Sequence, residues 1–166
     1  MTQKINKSKA EEQSKALNAW HSAAYCGSII AGTGFGKSRC GVLAVAHTLN
    51  VSDKPFDKAL VLVPTVQLQD IVCYQSAHKL TNQTYDIVVC DEIHLGLSPV
   101  YRKFFENNHY HRLLCMTATL PEEDEYRALL ASLAPTVYNI SLDECVTKGL
   151  VAPYDIHCVP VELTDM

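Results

Sequence analysis

The segment Ala31-Gly32-Thr33-Gly34-Phe35-Gly36-Lys37-Ser38 lies between two apolar runs, residues 28–30 and 42–46. Four of the seven glycines in the chain fall between Gly27 and Gly36. Glycine allows the backbone to fold closely around an anion, with its amides pointing inward. A strand, a glycine-rich loop and the start of a helix, in that order, form the context in which such a segment binds phosphate. We therefore predict a nucleotide-phosphate loop here.

Two side chains at the end of this loop carry specific chemistry. Lys37 would reach the β- and γ-phosphates, and the hydroxyl of Ser38 would hold Mg²⁺. The usual pattern has glycine where this chain has Ala31. An ordinary strand-to-helix turn is the alternative, but the Gly-Lys-Ser spacing in this context favours the phosphate loop. The loop residues expected to surround the nucleotide are Gly32, Thr33, Gly34, Phe35 and Gly36.

A second polar signal follows the apolar run of residues 87–90, where Asp91 and Glu92 come in succession. Open α/β sheets bind ligands at the carboxyl ends of their strands. Asp91 would hold Mg²⁺ from the side opposite Ser38, through water, and Glu92 would orient and activate the attacking water. The alternative is a strand that becomes polar as it reaches the surface.

Composition limits the classes of function. A chain of 166 residues is long enough for one domain with a core. Fourteen lysines and arginines stand against 18 acidic residues, a net charge of −4. Binding of nucleic acid through bulk positive charge is therefore excluded. Lys4, Lys7, Lys9 and Lys15 cluster in the polar N-terminal part, which is expected to be solvated.

The seven cysteines are odd in number and never spaced Cys-x-x-Cys. This pattern supports neither a disulfide framework nor a zinc site, and it favours a reducing compartment. His109 and His111 are interpreted as surface-loop residues rather than metal ligands. Apolar runs stay well below the roughly 18 residues that a membrane span needs. A cytoplasmic location is therefore expected.

Apolar periodicity predicts strands that alternate with helices, and hence a parallel sheet covered on both faces. The predicted strands cover residues 28–31, 59–63, 86–90, 113–116, 136–140 and 156–163. The predicted helices cover residues 8–21, 37–49, 66–80 and 99–107, with one more from Pro121 and one between the capping box at Ser141 and Gly149.

The segment after Val63 allows two interpretations. Residues 71–74 could form a strand, but only seven residues separate them from Val63, and a parallel crossover needs about a dozen. The alternative is one helix from Val66 to about Leu80 with Thr65 as its N-cap. We predict the helix.

Taken together, these segments resemble the superfamily 2 helicases and translocases of the Asp-Glu-x-His type, in the phage and type III restriction-like branch. Residues 31–38 resemble motif I of that family, including the alanine, and Pro64-Thr65 with Leu68 resembles motif Ia. Motif II is matched by residues 91–94, and motif III by Thr117-Ala118-Thr119. Residues 149–154 look like the end of the first RecA-like domain.

The resemblance implies a three-layer α/β RecA-like P-loop NTPase domain with a mostly parallel central sheet. In it the motif III strand lies between the phosphate-loop strand and the Asp91 strand. ATP and Mg²⁺ would be the ligands, and Gln13 would contact adenine. The resemblance also gives His94, with Thr117, Ala118 and Thr119, the coupling of hydrolysis to nucleic acid, whose backbone Pro64 and Thr65 would contact.

The chain departs from the family in two ways. The segment between motifs Ia and II is short, and none of the four arginines lies in the motif VI pattern. An arginine finger accelerates phosphoryl transfer by about 10³ to 10⁵. We therefore expect ATP binding with weak hydrolysis and no unwinding by this chain alone.

The expected organisation is a flexible arm over residues 1–7, a motor domain over residues 8–154, and a strand or linker over residues 155–166. The linker would lead towards a second RecA-like domain, supplied in cis or in trans, and DNA rather than RNA is the expected nucleic acid. The rival interpretation is a reduced module that binds nucleotide or a protein without motor activity. An unrelated phosphate-loop kinase is a third and disfavoured possibility.

Overall fold

The computed structural model describes residues 2–51, 58–64 and 72–154, and side chains within the first range from residue 7 to residue 50. Six strands form a central sheet in the order β3-β2-β5-β7-β1-β8, and every pairing in it is parallel. These strands are β1 (Cys26–Ala31), β2 (Ala59–Val63), β3 (Val72–Cys73), β5 (Ile87–Asp91), β7 (Leu113–Thr117) and β8 (Thr136–Ile140). A separate two-residue ladder joins β4 (Thr84–Tyr85) to β6 (His109–Tyr110).

Helices cover both faces of the sheet and complete three layers. They are α1 (Thr2–Ser22), α2 (Lys37–Val51), α3 (Tyr74–Ala77), α4 (Lys103–Asn107), α5 (Asp124–Leu133) and α6 (Leu142–Thr147), with a 3₁₀ helix at Ile93–Leu97. One core packs α1, α2 and α6 against the sheet around Trp20 and Phe35. The other packs α4, α5 and the 3₁₀ helix against the opposite face around Phe104 and Leu130.

The central strands β5 and β7 have nearly continuous apolar sequences because both faces of the sheet are covered there. Strand β7 lies between β5 and β1, with Cys90 opposite Cys115 and Ile29 opposite Met116. This order confirms the predicted position of the motif III strand. It also brings the carboxyl ends of β1, β5 and β7 to one edge of the sheet.

Most predicted elements form close to their expected bounds. Residues 59–63 and 136–140 are strands as predicted, and the helix after the glycine-rich loop begins at Lys37. The capping box is present, with Ser141 and Glu144 exchanging both hydrogen bonds, and Gly149 adopts a φ of 66° where the chain leaves α6. Helix α1 begins at Thr2, within the predicted arm.

The helix predicted over residues 66–80 is wrong in its described part. Val72 and Cys73 form the edge strand β3, parallel to β2 with Val72 opposite Leu62, and only residues 74–77 are helical. Tertiary pairing overrides local helix propensity here, because the edge position supplies backbone partners and allows Tyr74 to be buried. The predicted N-cap Thr65 lies outside the described residues.

Two other helices differ from their predictions. The helix expected over residues 99–107 is shorter, since α4 starts at Lys103 after a turn in which Arg102 N donates to Ser98 O. Helix α5 starts at Asp124 rather than near Pro121, and it keeps two acidic residues in its first turn, as the helix dipole favours. The strand predicted over residues 156–163 lies outside the described residues.

Candidate functional site

The glycine-rich loop connects β1 to α2 at the carboxyl edge of the sheet. Gly34 and Gly36 have φ values of +84° and +91°, a region that side chains rarely adopt. A Cβ atom at Gly32 would lie 2.8 Å from Cα of Leu142, so this position has no room for a side chain. The three glycines are therefore required by backbone conformation and by close packing.

Helix α1 donates side-chain hydrogen bonds to the backbone of the glycine-rich loop. Lys9 Nζ donates to the carbonyl of Gly34 at 2.8 Å, and Gln13 Nε2 donates to the carbonyl of Phe35 at 2.8 Å. Arg39 donates in turn to Gln13 Oε1. The Gln13 side chain is 2% exposed and both ends of its amide are bonded within the protein. Gln13 thus supports the glycine-rich loop, and its contact with adenine stays a prediction.

The first turn of α2 faces the end of β5. Ser38 and Asp91 line the same cavity, and the Ser38 hydroxyl acts to lower the pKa of the Asp91 carboxyl. Lys37 is 10% exposed, with Nζ 3.6 Å from Glu92 Oε1 and 3.2 Å from the carbonyl oxygen of Ala31. The residues predicted to bind phosphate, metal and water therefore lie around one cavity.

Two carboxylates share this partly buried place. Burial raises the pKa of Asp91 above its ordinary value, and the neighbouring charge of Glu92 raises it further. Lys37, the backbone amide of Glu92 and the Ser38 hydroxyl act in the opposite direction. A cation bound between two adjacent carboxylates would reduce the repulsion between their charges. Hydroxyl and carboxylate oxygens are also ligands that Mg²⁺ prefers.

Glu92 has a left-handed backbone, with φ 50° and ψ 54°. This conformation places Oε2 3.3 Å from Thr117 Oγ1, 3.4 Å from the amide nitrogen of Ala118 and 3.5 Å from His94 Nδ1. One carboxylate therefore contacts Lys37 on one side and the motif III segment on the other.

Thr117 lies at the centre of the second group of predicted residues. Its side chain is fully buried, and Oγ1 lies 2.9 Å from His94 Nδ1. The same hydroxyl lies 2.8 Å from the Thr119 carbonyl oxygen and 3.3 Å from Glu92 Oε2, while the Thr119 amide donates to it at 3.3 Å. Because a hydroxyl has one proton, it donates to only one of these two oxygens at a time. The predicted coupling residues thus form one connected network with Glu92.

A cavity of about 250 Å³ opens between the loop and the two carboxylates. Its walls combine backbone from the glycine-rich loop, one lysine, two hydroxyls and two carboxylates, a donor set that fits phosphate and Mg²⁺ together. The lining residues are Thr33, Gly34, Gly36, Lys37, Ser38, Asp91 and Glu92.

A second cavity of about 420 Å³ lies beside the first and shares Ser38 and Asp91 with it. Its other walls are apolar, and Val42 on α2 is 67% exposed at its rim. The remaining lining residues are Gly41, Val45, Val61, Val63, Val89 and Met116.

The nucleic-acid residues predicted from motif Ia are placed only in part. Pro64 is half-buried directly after β2 and does not line the first cavity, and Thr65 lies outside the described residues.

Three further residues belong to this site and were not predicted as site residues: Lys9, Arg39 and Tyr74. Lys9 lies four residues before Gln13 and therefore on the same helix face, a spacing that could have signalled it. Nothing local in the sequence indicates that the Tyr74 hydroxyl donates to the backbone carbonyl of Asp91 at 2.9 Å.

Two searches of the described residues 2–51, 58–64 and 72–154 bear on metal and membrane binding. Among these residues, no three His, Cys, Asp or Glu side chains gather where they could hold a metal ion. A magnesium ion that shares its coordination with substrate phosphates needs only one or two protein carboxylates. Within the same ranges, none of the helices combines the length and the apolar character required to span a bilayer.

Comparisons with known proteins are consistent with the fold. No family model and no curated protein matches this chain. Among solved structures, the chain is similar to the crystal structure of the Pyrococcus furiosus Hef helicase domain, with a TM-score of 0.55 and 12% identity. The likeness covers 74% of this chain and 36% of that one, so the chain spans little more than a third of the neighbour's length. The chain therefore has an α/β fold similar to a helicase RecA-like domain.

Proposed function

We propose that this chain is the ATP-binding motor domain of an ATP-dependent DNA helicase or translocase. It would couple ATP hydrolysis to nucleic-acid remodelling when paired with a second RecA-like domain. The observation that carries the proposal is one cavity beside the glycine-rich loop that is lined by both Ser38 and Asp91, with Lys37 and Glu92 paired in it. The fold similarity to a helicase domain supports it.

Each residue of the site has a distinct role in this proposal. The loop amides and Lys37 bind the phosphates, and Ser38 and Asp91 hold the magnesium ion. A bound magnesium ion neutralises phosphate charge and orients the phosphates. Glu92 orients the attacking water and accepts its proton. Since Lys37 lies 3.6 Å from Glu92, phosphate binding to Lys37 would release the Glu92 carboxylate for this work.

The network around Thr117 would transmit changes at the nucleotide site to the motif III segment. Glu92 contacts both His94 and Thr117, so a shift of its carboxylate changes the hydrogen bonds available to the motif III segment. Nucleic acid bound by Pro64 and Thr65, as the family resemblance implies, would respond to the position of that segment. The preference for DNA over RNA rests on the family resemblance.

None of the four arginines lines the nucleotide cavity. Arg39 bonds Gln13, Arg102 pairs with Glu106 and Glu125, Arg127 pairs with Asp124, and Arg112 lies over the Tyr25 ring. A second domain would therefore supply the arginine that accelerates hydrolysis, typically by about 10³ to 10⁵.

Turnover measurements test this assignment. Steady-state ATP hydrolysis is measured for the wild type, Lys37→Ala and the control Lys79→Ala, which removes an exposed lysine. Weak turnover that Lys37→Ala abolishes and Lys79→Ala preserves is expected, because only Lys37 lines the cavity. Turnover equal in all three proteins, or robust duplex unwinding by the isolated chain, contradicts the proposal.

One observation favours the rival function, a protein-binding module without motor activity. Helix α2 leaves Val42, Leu43 and Leu49 exposed by 67%, 37% and 50%. Contiguous exposed apolar surface marks interaction sites in soluble proteins. If the wild type neither binds nor hydrolyses ATP, this second function replaces the first.

A further inference from the structure

Tyr74 connects the edge of the sheet to the strand that carries the carboxylates. It follows β3 directly as the first residue of α3, and its side chain is 2% exposed. Its hydroxyl donates to the backbone carbonyl of Asp91 at 2.9 Å. The residue that follows the edge strand thus contacts the residue proposed to hold the metal.

The position of this hydrogen bond follows from where the ladder ends. The pairing of β2 with β5 runs from Ala59 opposite Ile87 to Leu62 opposite Cys90, while the pairing of β5 with β7 continues to Asp91 opposite Met116. Asp91 therefore extends one residue beyond its ladder with β2. The hydroxyl of Tyr74 supplies a donor there, and a buried carbonyl without a donor is costly.

The ring of Tyr74 contacts the same segment at its other end. A Cβ atom at Gly96 would lie 2.5 Å from Cε1 of the ring, so this close approach requires glycine. Tyr74 thereby touches both ends of the stretch from Asp91 to Gly96. Between them lie Glu92, in its left-handed conformation, and His94.

A left-handed conformation at a residue other than glycine persists only where its surroundings hold it. Burial raises the pKa of the Tyr74 hydroxyl well above its ordinary value, and the hydroxyl therefore remains a donor across the neutral range.

We propose that Tyr74 is a positioning residue for the Asp91–Glu92 turn: its hydroxyl fixes the Asp91 carbonyl, its ring fixes Gly96, and together they hold both carboxylates towards the loop. The expected effect of Tyr74 on magnesium and nucleotide binding rests on the proposed function. Its effect on the conformation of the Asp91–Glu92 turn is independent of that function.

The first test needs no ligand. Amide hydrogen exchange is measured across residues 92–97 in the wild type, in Tyr74→Phe and in the matched control Tyr101→Phe. Tyr101 stacks beside Tyr74 with ring centroids 6.4 Å apart, and its hydroxyl has no hydrogen-bond partner among the residues that the structure describes. Loss of one hydrogen bond is expected to accelerate exchange in this segment by about 2- to 10-fold in Tyr74→Phe only.

Exchange in α5 serves as the internal reference. Acceleration that is equal in α5 and in residues 92–97 would show general destabilisation, and it would overturn a positioning role. Unchanged exchange in residues 92–97 of Tyr74→Phe would overturn it as well.

The second test separates positioning from simple packing. ATP binding is titrated against Mg²⁺ for the same three proteins and, separately, measured in EDTA. Tyr74→Phe is expected to raise the Mg²⁺ concentration at half-saturation by about 2- to 10-fold while leaving binding in EDTA unchanged. An equal loss in both conditions, or no change in either, contradicts the inference. If the wild type binds no ATP, the proposed function fails, and the exchange measurement alone still decides the role of Tyr74.

Discussion

Lys37 Nζ lies 3.6 Å from Glu92 Oε1, so the first turn of the helix after the glycine-rich loop is paired with the residue that follows β5. Residues far apart in the sequence meet because β1 and β5 end at the same edge of a parallel sheet, separated by β7 alone. Four predictions follow from the surroundings of this contact.

Removal of the Asp91 charge should weaken magnesium binding and stabilise the fold. Asp91→Asn removes a carboxylate that would hold the metal through water, so we expect the Mg²⁺ requirement of ATP binding to rise at least about tenfold. Because the pKa of Asp91 is raised in the folded state, its ionisation opposes folding as the pH rises above its ordinary value of 3.8. The variant should therefore exceed the wild type in free energy of unfolding at pH 7, and urea unfolding checks this.

The pH dependence of that gain provides its control. The excess stability of Asp91→Asn should shrink as the pH falls through the raised pKa and vanish below 3.8, where both states carry a protonated carboxyl. If the excess free energy of unfolding were independent of pH, it would come from packing and not from ionisation of Asp91.

Glu92→Gln should separate binding from turnover. The amide keeps the shape of the side chain but cannot accept a proton from water, and loss of a general base costs about 10² to 10⁴ in rate. We expect ATP binding close to that of the wild type and no detectable hydrolysis. Measurable turnover at the wild-type rate would remove Glu92 from the role of base.

Gln13→Ala should loosen the phosphate loop. The variant leaves the carbonyl of Phe35 and the guanidinium of Arg39 without their partner, a loss of about 1 to 3 kcal/mol in the free energy of unfolding. Urea unfolding measures this loss. Gln75→Ala, which alters an exposed glutamine, is the control and should change stability little. Equal stability of both variants would show that α1 does not support the loop.

Glu12 should contribute stability that is lost at low pH. It is 4% exposed between Lys15 and Lys148; burial raises its pKa, but the hydrogen bonds from the two lysines outweigh burial and lower the pKa below 4.5. A lowered pKa gives stability that is complete above the ordinary value and is lost as the pH falls through the folded-state value.

Because Lys15 and Lys148 are 67% and 46% exposed, Glu12→Gln should lose only up to about 1 kcal/mol in the free energy of unfolding at pH 7. The difference from the wild type should narrow as the pH falls below the ordinary value of 4.5, and it should be lost below the pKa of Glu12 in the folded protein. A difference that stays constant from pH 7 down to pH 3 would contradict the ion-pair account.

Much of this site could be predicted because its signals are local. Each of its patterns lies within a short stretch of sequence. These patterns are the glycines at fixed spacing, the lysine and hydroxyl at the start of a helix, and the carboxylates after an apolar run. The parallel sheet then brings them together without any further information, because all of them follow strands that end at one edge.

The parts that could not be predicted depend on contacts between distant residues. Val72 and Cys73 form a strand only because β2 offers them an open edge, and a helix was the better local interpretation. The contact of Tyr74 with Asp91 depends on that strand, and the bond from Arg39 to Gln13 joins two helices. Each of these contacts forms only in the folded protein, so the local sequence does not predict it.

The most direct test of the central claim is calorimetric titration of the wild type and Lys37→Ala with ATP, in Mg²⁺ and in EDTA. The account predicts one saturable site in the wild type that Mg²⁺ tightens and that Lys37→Ala weakens at least about tenfold, since a charged partner of the phosphates is lost. Equal binding by the two proteins, or no heat of binding by the wild type at millimolar ATP, would contradict it.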